Sequence, residues 1–146
     1  MDSTIDAHIS NSADIDAAGT VSVTATDDST IGAITGSVAG AGKVTIGASV
    51  AYNKIANEVL AHIDASNVTS LQGNVVIDAG ESADVTSIAA GGVGAGKFAL
   101  GGSVTINEIG TETNKHTTRA SIGDGSISAI GKSLLTTYSM AFELIS

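Results

Sequence analysis

The chain has 146 residues, 18 of them glycine and four aromatic, with no proline, cysteine or tryptophan. This length fits one domain, and the hydrophobic content of 42% excludes an intrinsically disordered chain. The absence of cysteine excludes disulfides and thiolate metal sites. A formal net charge of −9 argues against a nucleic-acid partner, because acidic surfaces repel phosphates.

The sequence shows no feature of a membrane or export segment. No apolar run approaches the roughly 18 residues that a spanning helix needs. The start, MDSTIDAH, has neither the basic nor the apolar region of a signal peptide. We therefore expect the chain not to span a membrane, and a signal for export would lie outside this sequence.

Most of the chain consists of a repeat. Residues 7–55 align with residues 61–109 at a constant offset of 54, and 17 of the 49 pairs are identical. A third copy begins with ASI at Ala120. We expect one domain over 1–135, with repeats at 7–60 and 61–119 and a partial repeat at 120–135. The tail at 136–146 matches no repeat and is expected to be a cap or a non-repeat end.

Each copy alternates apolar residues with small or polar ones, which is the period of a half-buried strand. Val21, Val23 and Ala25 show this alternation, and so do the segments 44–52 and 98–106. Turn signals lie at 27–29, at the glycine pairs 40/42 and 94/96, and at Gly73 and Asn74. We expect the apolar half of every strand to fill a core of valine, isoleucine and alanine.

These features predict an all-β fold, a parallel β-helix or β-solenoid in which aligned columns of small side chains stack. With about 18–22 residues per coil, the chain would form about seven coils. The alternative is an antiparallel β-sandwich or barrel, which the hairpin-like turns QGN and GDG favour.

The repeats resemble those of leukotoxin-type filamentous adhesins, which are secreted surface proteins of Gram-negative bacteria. The resemblance lies in IDASNVTSLQGNVVIDA at 63–79, SIAAGGVGAGKFALGGSVTIN at 87–107, and the SVAYN strand at 49–53. It implies a β-helical passenger of an autotransporter or two-partner secretion system, located on the cell surface or secreted. It also implies a virulence role in cell adhesion. The secretion domain and translocator of that family have no counterpart in this sequence.

The residues that recur at equivalent positions are expected to be structural. They are Gly42, Lys43, Asn53, Gly96, Lys97 and Asn107. If the coils stack, Asn53 and Asn107 can donate hydrogen bonds along a column. We expect no catalytic residue and no cofactor. The segment GGVGAGKF at 91–98 matches a phosphate-binding loop only in part, because Phe98 replaces the Ser or Thr that holds magnesium.

We also expect no metal site. The three histidines, His8, His62 and His116, recur at a constant offset of 54 and would be separated by several coils, whereas zinc ligands lie ~2 Å from one ion. The acidic groups match no calcium-binding repeat and are expected to solvate turns. They are Asp14, Asp16, Asp27, Asp28, Glu81, Asp84 and Asp124.

The expected function is that of a structural repeat module, not an enzyme, that attaches to a host surface protein or glycan. An isolated fragment should also associate end to end, because open strand edges pair with other edges. Two alternatives are a polysaccharide-binding or polysaccharide-cleaving β-helix and an ice-binding solenoid. Ice binding needs flat rows of threonine, and the threonines of the first copy do not recur in the second.

Overall fold

The computed structural model describes residues 1–40, 44–94, 98–110, 116–131 and 133–145. These residues form strands and turns without a helix, so the predicted all-β class is confirmed. Within the described ranges, no helix of membrane-spanning length and apolarity occurs. The strands are β1 (Thr4–Ile9), β2 (Asp14–Ala17), β3 (Val21–Gly40), β4 (Val44–Ile55), β5 (Glu58–Ile63), β6 (Ser66–Ser70), β7 (Val75–Gly94), β8 (Phe98–Ile109), β9 (Thr117–Ile122), β10 (Gly125–Ala129) and β11 (Ser133–Ile145).

Strands pair with their counterparts in other repeats. The sheets have the orders β1-β5-β9, β10-β6-β2, β11-β7-β3 and β4-β8. The pairs β1/β5, β5/β9, β2/β6, β6/β10 and β4/β8 are all parallel. Parallel neighbours require long connections, which here are the rest of each repeat. These pairs do not form the antiparallel sandwich considered as the alternative.

One stacking step corresponds to one whole repeat. Ile9 pairs with Ile63, an offset of 54, and Ile63 pairs with Ile122, an offset of 59. The prediction of a shorter coil, of about 18–22 residues, is therefore wrong, because directly neighbouring strands come from consecutive whole repeats. Within these pairs, adjacent strands are separated by about 4.8 Å.

The offset of 54 is not constant inside the repeat. In the β2/β6 pair, Asp14 lies opposite Asn67, an offset of 53. The first repeat has one extra residue in the preceding turn, where Asn11 and Ser12 adopt positive φ angles of 66° and 59°. The offset of 54 is restored at the start of β3. There the backbone NH of Val21 donates to the carbonyl oxygen of Asn74, the residue before Val75, as it does when Val21 lies beside Val75 in a parallel pair.

The chain divides into two compact units. The first comprises Met1–Asp28, Ala56–Ser82 and Thr111–Met140, and the second comprises Ser29–Ile55, Ala83–Gly110 and Ala141–Ser146. The hydrophobic cluster of the first unit draws aliphatic side chains from most of its strands, as expected for stacked columns of similar residues. Its buried members are Val23, Ala25, Val59, Ala61, Ile63, Val68, Val75, Ile77, Ala79 and Ala120.

The second unit has a small apolar core and an apolar exterior. Its buried cluster consists of Ile55, Ala83 and Val85. On β4 and β8, the residues predicted to be buried face outward instead. Exposed fractions are 70% for Ile46, 71% for Val50, 56% for Leu100, 54% for Val104 and 47% for Ile106. The prediction of an inward apolar face was wrong for these strands, because their other face carries polar groups that bond to one another.

The turn predicted at Asp27, Asp28 and Ser29 does not form. These three residues lie inside β3. Ser29 is buried, with only 4% of its surface exposed. Packing against neighbouring residues has overridden the low β-propensity of aspartate here.

Replacement of a buried column residue should destabilise the first unit strongly. Ile63→Ala removes a side chain that is 1% exposed, and it should lower the free energy of unfolding by about 2–5 kcal/mol through lost burial and a residual cavity. Ile130→Ala, at a side chain that is 80% exposed, should change it by no more than about 0.5 kcal/mol. Urea denaturation measures both. An equal loss of free energy of unfolding in the two variants would contradict the burial of Ile63 and the exposure of Ile130.

Candidate functional site

Four of the repeated positions, Gly42, Lys43, Gly96 and Lys97, lie outside the described residues. The segments that flank them are strands, since β3 ends at Gly40 and β4 begins at Val44. In the second copy, β7 ends at Gly94 and β8 begins at Phe98. The sequence GGVGAGKF therefore connects two strands, whereas a phosphate-binding loop of this pattern leads into the N-terminus of a helix.

The structure places Asn53 directly beside Asn107. They are register partners in the β4/β8 pair, and Asn53 Nδ2 donates to Asn107 Oδ1 over 2.9 Å. Ser87 on β7 joins them: its hydroxyl donates to Asn107 Oδ1 at 2.9 Å and accepts from Asn53 Nδ2 at 2.6 Å. Next to this group, the Ser49 hydroxyl donates to Ser103 Oγ at 2.9 Å. These residues thus form a hydrogen-bonded polar ladder on part of the inner face of the strands, which also carries the buried side chains of Ala51 and Ile55.

A buried acid lies in the first unit. Glu81 on β7 is 0% exposed, and its carboxylate accepts a 2.8 Å hydrogen bond from Thr118 Oγ1. His116 Nδ1 lies 3.1 Å from the other carboxylate oxygen. The expectation that Glu81 solvates a turn was wrong, because the residue stands within a strand and its side chain points into the unit.

A second carboxylate, Asp27, lies near this buried pair. Asn57, which is also 0% exposed, donates from Nδ2 to Asp27 Oδ2 over 2.6 Å. The offset from Asp27 to Glu81 is 54, as in the β1/β5 pair, and the offset from Asn57 to His116 is 59, as in the β5/β9 pair. Successive repeats therefore place a carboxylate beside an amide in one layer and a carboxylate beside an imidazole in the next.

Burial determines the proton affinity of Glu81. Removal of the carboxylate from water raises its pKa above the ordinary value, and the negative charge of Asp27 raises it further. The hydrogen bond from Thr118 and the field of His116 act in the opposite direction without cancelling the effect of burial. Such a group can hold a proton where an exposed glutamate has lost it.

A third cluster lies on the exposed face of the sheet β1-β5-β9. His8 and His62 are register partners, and their rings stack with centroids 5.2 Å apart and an interplanar angle of 18°. Asp6 lies beside both: its Oδ1 is 3.4 Å from each Nδ1. The expectation that several coils separate these histidines was wrong, because one whole repeat is a single step of the stack.

Sequence reasoning missed two of these groupings. The sequence alignment at an offset of 54 does not show that Asn57 and His116 occupy equivalent positions, because the connection from β8 to β9 is longer than the connection from β4 to β5. The relation between Asp27 and Glu81 was visible as two acids at an offset of 54. It could have indicated a shared environment, but alternation alone does not show which face of a strand is buried.

The raised pKa of Glu81 predicts a specific pH dependence of stability. The native state keeps a proton that the unfolded chain releases near pH 4.5, so the free energy of unfolding should fall as pH rises from there through the raised pKa. Glu81→Gln removes this contribution. The stability of the variant relative to the wild type should therefore increase with pH across this window, as measured by urea denaturation at a series of pH values.

Two controls accompany this measurement. Glu58→Gln removes the same formal charge from an exposed side chain and corrects for the effect of net charge. A His116→Gln background removes the neighbouring imidazole, whose field acts on the Glu81 carboxylate. The raised pKa would be contradicted if the difference in the free energy of unfolding between Glu81→Gln and its parent stayed constant with pH, both in the wild-type and in the His116→Gln background.

The Asn53 and Asn107 side chains should be energetically coupled. A double-mutant cycle of Asn53→Ala and Asn107→Ala should give a coupling energy of about 0.5–3 kcal/mol, because each single change removes one hydrogen bond of the other partner. Chemical denaturation of the four proteins measures it. The pair Asn53→Ala and Asn67→Ala, in different units, should be additive. If the effects of Asn53→Ala and Asn107→Ala were additive, the hydrogen bond between the two side chains would contribute nothing to the free energy of unfolding.

Comparison with known proteins assigns no relative. No family model, no curated protein and no solved structure matches the chain.

Proposed function

We propose that the chain is a β-solenoid segment of a secreted bacterial surface adhesin of the leukotoxin-like type, and that it attaches to host cells through an exposed apolar sheet face. Two kinds of observation support the proposal: the adhesin-like sequence pattern of the repeats, and the in-register parallel stacking of those repeats. The apolar outer face of β4 and β8 is the single observation that carries the binding function.

The stacking supports a broad binding surface more than it supports length. Each whole repeat adds one step of about 4.8 Å. A stalk built in this way would be short for its mass. In the same arrangement, an outward residue of one strand lies beside the equivalent residue of the next strand. Residues that recur from repeat to repeat therefore form a row across the surface. Such a surface suits lateral attachment.

The outward residues of β4 and β8 form a continuous apolar patch, here called the β4/β8 face. The register joins Ile46 with Leu100, Val50 with Val104 and Tyr52 with Ile106. All six side chains are between 47% and 71% exposed. Isolated exposed aliphatic residues are normal on protein surfaces, but contiguous ones in neighbouring strands mark interaction sites.

The chemistry of the β4/β8 face favours a protein as its host partner. Glycans are recognised by aromatic platforms together with hydrogen-bonding groups, and Tyr52 is the single aromatic residue among the six of this face. The Tyr52 hydroxyl already donates to the Glu108 carboxylate, and this hydrogen bond raises the tyrosine pKa. The other five residues are aliphatic, which fits the apolar centre of a protein interface.

Two alternatives receive less support. In the β4/β8 register, Thr45 pairs with Ala99 and Ala51 pairs with Thr105, so these threonines do not form the rows that ice binding needs. Glu81, the acid whose pKa is raised by burial, is fully buried and is not accessible to a polysaccharide.

Attachment to cultured mammalian cells tests the proposal. A variant with Ile46→Ser, Val50→Ser and Tyr52→Ser removes one strand of the β4/β8 face. We expect the fluorescently labelled variant to bind cells at least tenfold less than wild type in flow cytometry, because these residues supply the buried apolar area of the interface. Protease treatment of the cells should abolish wild-type binding, whereas removal of surface glycans should leave most of it.

A matched control carries three equivalent changes elsewhere. Leu71→Ser, Ile122→Ser and Ile130→Ser replace exposed apolar residues of the first unit, and this variant should bind as wild type does. Circular dichroism must show the same strand content in all three proteins. Equal loss in both variants, or no binding by wild type, would overturn the assignment.

A further inference from the structure

We infer that Asp6, His8 and His62 form a surface site for a divalent transition-metal ion such as Zn²⁺. The sequence alone argued against a metal because it separated the two histidines by a whole repeat. The parallel register of β1 and β5 brings them together instead.

The backbone arranges the three ligands on one face. Side chains alternate along a strand, so Asp6 and His8, two positions apart on β1, both point outward, away from the side of the half-buried Ala7. His62 occupies the equivalent outward position on β5. The convergence therefore follows from the strand period and the stacking register, without a special loop.

The distances fit a metal site. Asp6 Oδ1 lies 3.4 Å from Nδ1 of His8 and 3.4 Å from Nδ1 of His62, and all three donor atoms lie within 4.8 Å of one another. Two donors bound to zinc at 2.0–2.2 Å with a tetrahedral angle are about 3.4 Å apart. The imidazole rings need to rotate from their stacked arrangement to direct both nitrogens at one ion, and their exposure of 47% and 24% leaves room for this.

The ligand chemistry selects the class of ion. Two imidazole nitrogens and one carboxylate oxygen suit Zn²⁺, Cu²⁺ or Ni²⁺, whereas Ca²⁺ and Mg²⁺ prefer sets of oxygen ligands. The net charge of −9 attracts cations to the chain as a whole. Three protein ligands leave at least one coordination position open to water or to a group of another molecule.

A bound ion would link adjacent repeats. His8 belongs to the first repeat and His62 to the second, so coordination would tie β1 to β5 through side chains in addition to their backbone hydrogen bonds. Amides of β1 should then exchange with solvent more slowly when the metal is present, because opening of the strand pair would also break metal–ligand bonds.

Isothermal titration calorimetry of the untagged full chain with ZnCl₂ tests the site. We expect one ion per chain. His8→Gln and His62→Gln should each weaken binding at least tenfold, and Asp16→Asn, at an exposed acid on β2, should leave it unchanged. Ser121→His adds an imidazole at the register partner of His62 and should tighten binding about tenfold. MgCl₂ should give no comparable heat.

Hydrogen exchange and NMR give a second readout. Zinc should shift the imidazole signals of His8 and His62 and slow amide exchange in β1 of wild type but not of His8→Gln. All variants replace exposed or partly exposed side chains, and equal melting temperatures in EDTA would show that they fold alike. Binding that survives both histidine changes, binding lost only in His116→Gln, or no binding by wild type would overturn the inference.

Discussion

The rest of the structure follows from one constraint: along the paired strands β1/β5 and β4/β8, each residue lies beside the residue 54 positions later. At a strand separation of about 4.8 Å, the side chains of register partners lie directly beside one another, so the two members of each pair must be compatible, whether they are alike or, as with Lys54 and Glu108, of opposite charge. Aliphatic columns satisfy this by packing, as in the core of the first unit. Asparagine satisfies it by donating from one amide to the next, as Asn53 does to Asn107.

Columns of ionisable groups need additional partners. Asp27 and Glu81 occupy equivalent positions, and their like charges disfavour ionisation of the buried member. The structure compensates with Asn57 in one layer and with His116 and Thr118 in the next. The stacked imidazoles of His8 and His62 have a similar requirement, which the single carboxylate of Asp6 meets. The same register thus generates both the buried acid and the inferred metal site.

In the second unit, β4 and β8 turn polar side chains inward and aliphatic side chains outward along much of their length. Asn53, Ser87 and Asn107 bond to one another, so their burial carries no large penalty. The buried hydroxyl oxygens of Thr35, Ser37 and Thr105, in contrast, have no hydrogen-bond partner among the described residues. The aliphatic residues of β4 and β8 then remain in solvent, where their exposure is unfavourable unless another surface covers them. This unfavourable exposure gives the proposed attachment to a host protein its physical basis.

The sequence by itself determined that the chain is all-β and repeats at an offset of 54, because strand alternation and identity between copies are local signals. It did not determine which strands pair, since an offset of 54 between copies does not by itself show which segments lie side by side. Nor did alternation show which face of β4 is buried, because a period of two is the same for either face. The proximity of His8 to His62 and of Glu81 to His116 was decided by the tertiary register, which joins residues that are distant along the chain.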